Sequence, residues 1–297
     1  MNIVISVITP FYYGNRYIPS LFDILSNNQQ RLREYDGDIS VEWIIVNDSP
    51  KEEVKLERCD GDLDVHIVTH ETNRGIHQAR ITGFQHSTGG YVKFLDQDDV
   101  ISNSCLLEEF RQAKSGNVVV SNAILEKANG KKTKAYCSKY EFGKVNNLLF
   151  YAVSHNMIVS PGQCLIPKDV IPSEWISIAL EENGADDLLL WVMLLSKGRR
   201  FRLINQCLYT HTYTGKNLSE DRSKMCYSTL QCVKILNEIP YVDRRIVRYI
   251  YRSRLFELRW SESTGIRRLG LLTSDFDIIA IRAVFKVITV LSIVLHL

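Results

Sequence analysis

Neither sign of charge is in excess: 36 Lys and Arg stand against 34 Asp and Glu, a formal +2 over 297 residues. A histone-like, wholesale binder of nucleic acid needs a strongly basic surface, and this balance excludes one. No C-x-x-C pair occurs among Cys59, Cys105, Cys137, Cys164, Cys207, Cys226 and Cys232. Scattered and odd in number, they suit free thiols in a reducing compartment, not a disulfide framework or a zinc site. The start, MNIVISVITPFYYG, lacks a basic n-region and has about six apolar residues before Thr9-Pro10, too few for a signal peptide. A cytosolic location is the expectation. There is no internal repeat and no low-complexity tract. There is also no G-x-G-x-x-G after the first apolar run, where a dinucleotide-binding dehydrogenase would carry it; PFYYGNRY has one glycine. What is present is ordinary for a folded chain, 45% hydrophobic and 24% charged. Its length suits one large or two fused domains at roughly 150 residues each.

The first hundred residues alternate short apolar runs with helical stretches. Ile3–Ile8 is β-branched and continuous, as in a strand buried on both faces of a parallel sheet. A helix is predicted over Tyr17–Arg33, with Ile18, Leu21, Phe22 and Leu25 on one face. Strands follow at Val41–Val46 and Val65–Val68, a helix at Ile76–His86 and a strand at Tyr91–Leu95. This rhythm with short connections indicates a doubly wound α/β domain, in which ligands bind beyond the carboxyl ends of the strands. From Ile101 to Gly215 the pattern predicts a helix near Ser104–Lys114, a strand at Val118–Ser121 and a polar loop around Asn129–Lys134. A strand at Cys164–Ile166 and a helix at Leu188–Leu195 complete that stretch. Beyond Ser219 only helices are expected. There, within 240–270, eight arginines face Asp243, Glu257 and Glu262 alone.

The chemistry-bearing residues sit at the predicted strand ends. FLDQDD, residues 94–99, delivers three carboxylates into one loop. Clustered carboxylates repel and must be desolvated together, a cost that a hard cation such as Mg²⁺ or Mn²⁺ removes. Turn formation and N-capping by Asp is the structural alternative, and D-x-D alone does not decide between them. ETNRGIHQAR places Asn73, Arg74 and Gly75 at a helix start with Arg80 one turn in, an arrangement suited to a phosphate. Pro10 and Tyr12 follow strand one, where an aromatic ring offers a face to a base, and Asp48 follows strand two as an acceptor for a base N–H. Packing for Tyr12 and solvation for Arg80 are the plain alternatives.

In order and spacing, SVITPFYYGNRYIPSLFDIL, WIIVNDSP, NRGIHQAR with GGYVKFLDQDD, SPGQCLI and GADDLLLWVMLLSKGRRFRLI resemble the family 2 glycosyltransferases across roughly residues 3–219. The resemblance implies the GT-A fold, a Rossmann-like, mostly parallel sheet, here with a C-terminal helical extension. It divides the chain into a nucleotide-sugar-binding half (1–100), an acceptor-binding half (101–219) and a basic, then amphipathic arm (220–297). It implies an inverting, metal-dependent enzyme with a nucleotide-sugar donor, UDP-linked by expectation. By the same resemblance Tyr12 stacks on the base, Asp48 binds it and Arg80 lies near the diphosphate. Asp96 and Asp98 match the D-x-D, with Asp98 the direct ligand. Asp187 matches the general base, although it and Asp186 equally suit the start of a helix. Gln163 and Trp175 are candidates for the sugar pocket, with packing the alternative for Trp175.

The chain departs from the family's pattern at Asn47, at Ile81 and at Thr214, where a metal-ligating His is common; His211 is the candidate substitute if that segment is irregular. Phe256-Glu257-Leu258-Arg259-Trp260 lacks the Gln of the processive synthases' Q-x-x-R-W, so a single transfer per encounter is expected. A sugar-nucleotide nucleotidyltransferase and a non-catalytic, membrane-associated binding protein are the rival functions.

The run Ile278–Leu297 approaches the roughly 20 apolar residues of a membrane span, but Arg282 and Lys286 oppose insertion. In projection Arg282, Lys286, Thr289, Ser292 or Ile293, and His296 form one polar stripe, as in a helix lying at the headgroup plane. Arg244, Arg248 and Arg252, four apart, suit anionic lipid or a lipid diphosphate. The expected setting is therefore peripheral, on the inner face of the cell membrane, with a lipid-linked saccharide acceptor for surface polysaccharide. Packing of the arm on the catalytic domain or in a homodimer is the alternative.

Overall fold

The computed structural model describes residues 3–56, 62–113, 116–213, 215, 217 and 221–294. Cys59, Thr214, Ser219 and His296 lie outside them. By contacts the chain forms two compact units: 1–135, 159–179 and 201–215 in the first, and 136–158, 180–200 and 216–297 in the second.

The first unit is built on a mixed sheet. Strand β1 (Ile3–Phe11) pairs in parallel with β2 (Ile39–Asn47), and β2 with β3 (Asp64–Thr69). On its other side β1 pairs in parallel with β4 (Tyr91–Phe94). The sheet continues through antiparallel neighbours: the short β5 (Val100–Ile101), β6 (Val119–Glu126), the hairpin partner β7 (Lys132–Lys134), β8 (Cys164–Pro167) and β9 (Arg202–Thr212). The order is β3-β2-β1-β4-β8-β6-β9-β5, with β6 and β9 parallel. Helices α1 (Ile18–Tyr35), α2 (Ile76–His86) and α3 (Cys105–Ala113) supply the crossovers. Buried β-branched side chains run along β1 and β2, as a sheet covered on both faces requires. The helix α1 turns Ile18, Leu21, Phe22, Leu25 and Leu32 onto them. The α/β architecture expected from periodicity is the one found.

One expectation fails in this unit, and the condition set for His211 is not met. The polar stretch near Asn129–Lys134 is not a loop throughout, because β7 pairs there with β6. The segment around His211 is not irregular: β9 carries it through Thr212. Arg202–Thr212 has no clean apolar alternation because most of its residues are half-buried or exposed, so its pairing with β6 rather than its own pattern makes it a strand.

Inside the core, Lys93 of β4 donates to Glu109 of α3 at 2.7 Å, both side chains 0% exposed. Burial works against the Lys93 ammonium, but neighbouring Cys105 and Glu109 outweigh it and hold the Lys93 pKa above its ordinary value. Ser121 Oγ donates to the second oxygen of Glu109 at 3.0 Å, and Cys164 O accepts from Lys93 at 3.3 Å. The pair joins strand to helix with every charged atom satisfied, as a buried ion pair must.

The second unit is helical. It contains α4 (Lys139–Gly143), α5 (Leu148–Val153), the nearly wholly buried α7 (Asp186–Ser196), α8 (Arg222–Glu238), α9 (Arg244–Glu262), α10 (Ile266–Ser274) and α11 (Phe276–Val294); α6 (Ser173–Ser177) belongs to the first unit. Asp221 and Asp243 cap α8 and α9 by accepting from Lys224 N and Arg245 N. Among the described residues no helix is long and apolar enough to cross a membrane.

Candidate active site

Four chain segments meet at the carboxyl ends of β1, β2, β3 and β4. Near the end of β1 Pro10 is half-buried, and just beyond the strand Tyr12 is 53% exposed, its ring edge-on to Tyr13 at 4.8 Å. Tyr13 holds a φ of 48°, unusual for a residue with a Cβ. The turn is kept there by neighbours. Gln97 Oε1 accepts from Tyr12 N at 2.9 Å, Gln97 Nε2 donates to Tyr12 O at 3.0 Å, and Tyr13 N donates to Ser49 Oγ at 3.1 Å. A Cβ on Gly14 would sit 2.1 Å from Gln97 Oε1, so any larger residue there would push the Gln97 amide away from Tyr12. Gln97, the middle residue of D-Q-D, thus ties the exposed tyrosine to the acidic loop.

Asp48, after β2, is buried and collects donors from the loop before α2. Its Oδ1 accepts from Arg74 N at 2.7 Å and lies 2.8 Å from His70 Nδ1; its Oδ2 accepts from Gly75 N at 2.8 Å. Gly75, at a φ of 85°, makes that turn possible, and Asn73 Oδ1 also accepts from its N–H at 3.1 Å. Beside these groups Thr69, His70, Glu71, Thr72 and Arg74 line a cavity of about 350 Å³.

The acidic loop lies after β4. Buried Arg80 donates from Nη2 to Asp96 Oδ1 at 2.6 Å, so the arginine expected near a diphosphate is held against the first carboxylate of the D-x-D. Asp99 is buried, 3.1 Å from His211 Nδ1, and accepts from Ser160 Oγ at 3.2 Å; Tyr209 OH lies 3.3 Å from the same imidazole nitrogen. Burial foremost, then the charges of Asp99 and Asp96, push the Asp98 carboxyl up to about 6. Burial works against protonation of His211, but Asp99 prevails and raises its pKa. Asp96, Asp98 and Asp99 crowd one loop with an imidazole beside Asp99, and a hard divalent cation would relieve their repulsion, so the donor types present suit such an ion.

Among the described residues, Glu42, Asp64 and His66 bring potential ligand atoms within 4.8 Å of one another. That trio lies back from the strand ends, and Glu42 already accepts from Ser6 Oγ, Thr88 N, Thr88 Oγ1 and Gly89 N. Burial alone would raise the Glu42 carboxyl; these donors hold it below its ordinary value and mark it as a structural brace.

Gln163 is fully buried, donating to Ser121 O at 2.8 Å and accepting from Val159 N at 2.7 Å, so it acts on backbone behind the strand ends rather than lining them. Trp175 is packed between His77 and Phe94. In the second unit Asp187 stands in the first turn of α7, after Ala185 at the N-cap. Asn156 Nδ2 donates to its Oδ2 at 2.6 Å and Leu188 N to its Oδ1 at 2.6 Å, fixing the carboxylate. The supports Gln97, His70, Asp99 and Asn156 have no role assigned from sequence. Gln97 and Asp99 stood inside the acidic motif, whereas nothing local marks His70 or Asn156.

Residues 6–171 match the sequence profile of glycosyl transferase family 2. An uncharacterized glycosyltransferase of Haemophilus influenzae is 30% identical over 129 residues, covering 42% of this chain and 41% of that protein. The minor teichoic acid biosynthesis protein GgaB of Bacillus subtilis is 25% identical over 216 residues, covering 70% of this chain and 23% of that protein. This chain spans less than half the length of the curated relatives it matches. Residues 1–349 of S. aureus TarS in complex with UDP-GlcNAc superpose with a TM-score of 0.63 at 16% identity, covering 86% of this chain and 73% of that one, a likeness of fold.

Proposed function

This chain is a member of glycosyl transferase family 2 and has the GT-A fold; from that premise we propose that it transfers one sugar, with inversion, from a UDP-linked donor to a hydroxyl of a lipid-linked precursor of surface polysaccharide. The sugar is a hexosyl or N-acetylhexosaminyl group. The observation that carries the proposal is the convergence of Tyr12, Asp48, Asn73, Arg80, Asp96 and Asp98 on one edge of the sheet, tied together by Gln97 and the Arg80–Asp96 pair. Tyr12 gives the base a ring face, and the Asp48 loop and its cavity receive the nucleoside. Asp98 and Asp96, with His211 the further candidate ligand, would hold Mg²⁺ or Mn²⁺, which would supply charge neutralisation for the leaving diphosphate. Arg80 fixes the Asp96 carboxylate for that task.

Asp187 takes the proton of the attacking hydroxyl. Asn156 Nδ2 and Leu188 N hold its carboxylate at the start of α7, in one position for that task. For the acceptor, Tyr227, Lys234, Arg244, Arg248 and Tyr251 line a cavity of about 730 Å³ in the second unit. Two guanidiniums and two exposed rings suit a diphosphate and a saccharide. The third arginine of the expected set, Arg252, is not available, being paired with Asp277 at 2.8 Å and Asp275 at 3.2 Å. The setting is the periphery of the inner membrane face. The test is release of free nucleotide from a panel of sugar nucleotides, with Mn²⁺ and with EDTA. Metal-dependent release of UDP is expected. Pyrophosphate release would make the protein a nucleotidyltransferase, and no release from any donor would make it a binding protein.

A further inference from the structure

The helix α11 is amphipathic in the inverted sense. Of the polar stripe expected at the lipid headgroups, Arg282, Thr289 and Ser292 are turned into the protein, while Lys286 stays exposed. Arg282 donates to Glu257 at 2.7 Å, to Ser253 Oγ and to Val153 O. Thr289 bonds Lys144, Ser292 lies 2.9 Å from Ser138 Oγ, and Phe285 rests on Phe150 with ring centroids 4.0 Å apart. The apolar side is left outward: Phe276 is 68% exposed, Val284 55%, Val287 58%, Val290 53%, Leu291 51% and Val294 67%. At 100° per residue these six occupy one face, and no polar side chain of α11 stands among them. Leu269 of α10, 62% exposed, adds to the apolar surface.

We infer that this outward face of α11 is the membrane contact, entering the acyl boundary of a bilayer with the helix lying flat. The inference rests on the peripheral-membrane setting proposed above and supplies the surface and the mode. Exposed aliphatic surface of this extent marks an interaction site. A partner protein would be matched by a polar rim and by aromatic or Arg anchors. Here the face is mostly Val and Leu; Asp277 at one edge is held by Arg252 at 2.8 Å, and the unpaired charges near it are cations. Lys286 stands at its edge and Arg267 on α10; both are exposed and neither has an ion-pair partner among the described residues. Apolar insertion flanked by unpaired cations is complementary to anionic headgroups over acyl chains. The inward contacts do a second job: with Arg282 neutralised by Glu257 and Thr289 and Ser292 bonded inside, only Lys286 of the described stripe is left for the headgroups.

The experiment is flotation of the full chain with neutral phosphatidylcholine vesicles and with vesicles containing phosphatidylglycerol. The chain is expected to float with both, more strongly with the anionic ones. Val287→Asp/Leu291→Asp, at exposed positions that leave the inward contacts intact, should lower partitioning into both by at least tenfold while keeping the wild-type melting curve and donor turnover. Val290→Trp should give a blue-shifted emission with vesicles that is quenched by brominated acyl chains. If the double variant floats as wild type while Arg244→Glu/Arg248→Glu does not, the membrane setting stands and this surface is wrong. If the wild type floats with neither vesicle and the double variant turns a dimer into a monomer, the face is a self-interface. Either result overturns the inference, and neither touches the transferase assignment, which nucleotide release reports separately.

Discussion

Replacing Asp98 by asparagine removes one of three carboxylates crowded after β4, and the metal-free protein should become more stable for it. Burial and the charges of Asp99 and Asp96 carry the Asp98 carboxyl from 3.8 to about 6. At about 1.4 kcal/mol per pH unit this corresponds to about 3 kcal/mol. Asp98 is half-buried, and solvent and salt screening reduce the expectation to about 1–2 kcal/mol. The sign follows from proton linkage. A carboxyl whose pKa is raised on folding favours the folded state when protonated, so that contribution is complete below 3.8 and is lost as pH rises through about 6. At pH 8 the wild type therefore bears an unfavourable charge that Asp98→Asn lacks. Thermal unfolding with EDTA should show the variant melting about 2–8 °C higher at pH 8, using about 2–4 °C per kcal/mol for a chain of this size. The difference should close by pH 4. With Mn²⁺ the order should invert, because the wild type alone gains full binding energy from the ion. Turnover should be abolished throughout. A variant that melts lower than wild type at pH 8, or a difference independent of pH, would refute the picture of repelling carboxylates awaiting a cation.

Asp187→Asn should abolish turnover while the donor Kd, read by titration calorimetry, stays within about threefold of wild type, since a base acts on the acceptor hydroxyl; a wild-type rate would remove Asp187 from that role. Gly14→Ala places a Cβ 2.1 Å from Gln97 Oε1 and should release the Tyr12 turn, raising the donor KM by about tenfold while kcat changes less. In the core, Lys93→Met strands the Glu109 carboxylate and should cost about 3–5 kcal/mol by denaturant titration. Lys93→Met/Glu109→Leu should recover most of that loss, and equal losses in single and double variants would mean that packing, not charge, dominates there.

Periodicity and composition were sufficient for the α/β rhythm, because strands buried on both faces must be apolar along their length and helices must be apolar on one side. The acids at strand ends were equally legible, since an apolar strand has no packing reason to finish in Asp96-Gln97-Asp98-Asp99. Hidden from the sequence were the contacts that join distant segments. Gln97 grips Tyr12 across 85 residues, His211 reaches Asp99 across 112, and β9 becomes a strand by pairing with β6 and β5. The arm is the clearest division between the two levels. The sequence by itself determined that α11 has a polar stripe and an apolar face, because side-chain order and the helical period fix that much. Only the tertiary structure decided which side faces out: Glu257, Ser253, Ser138 and Lys144, all distant in sequence, offer the stripe better partners than water does, and the apolar face is left at the surface.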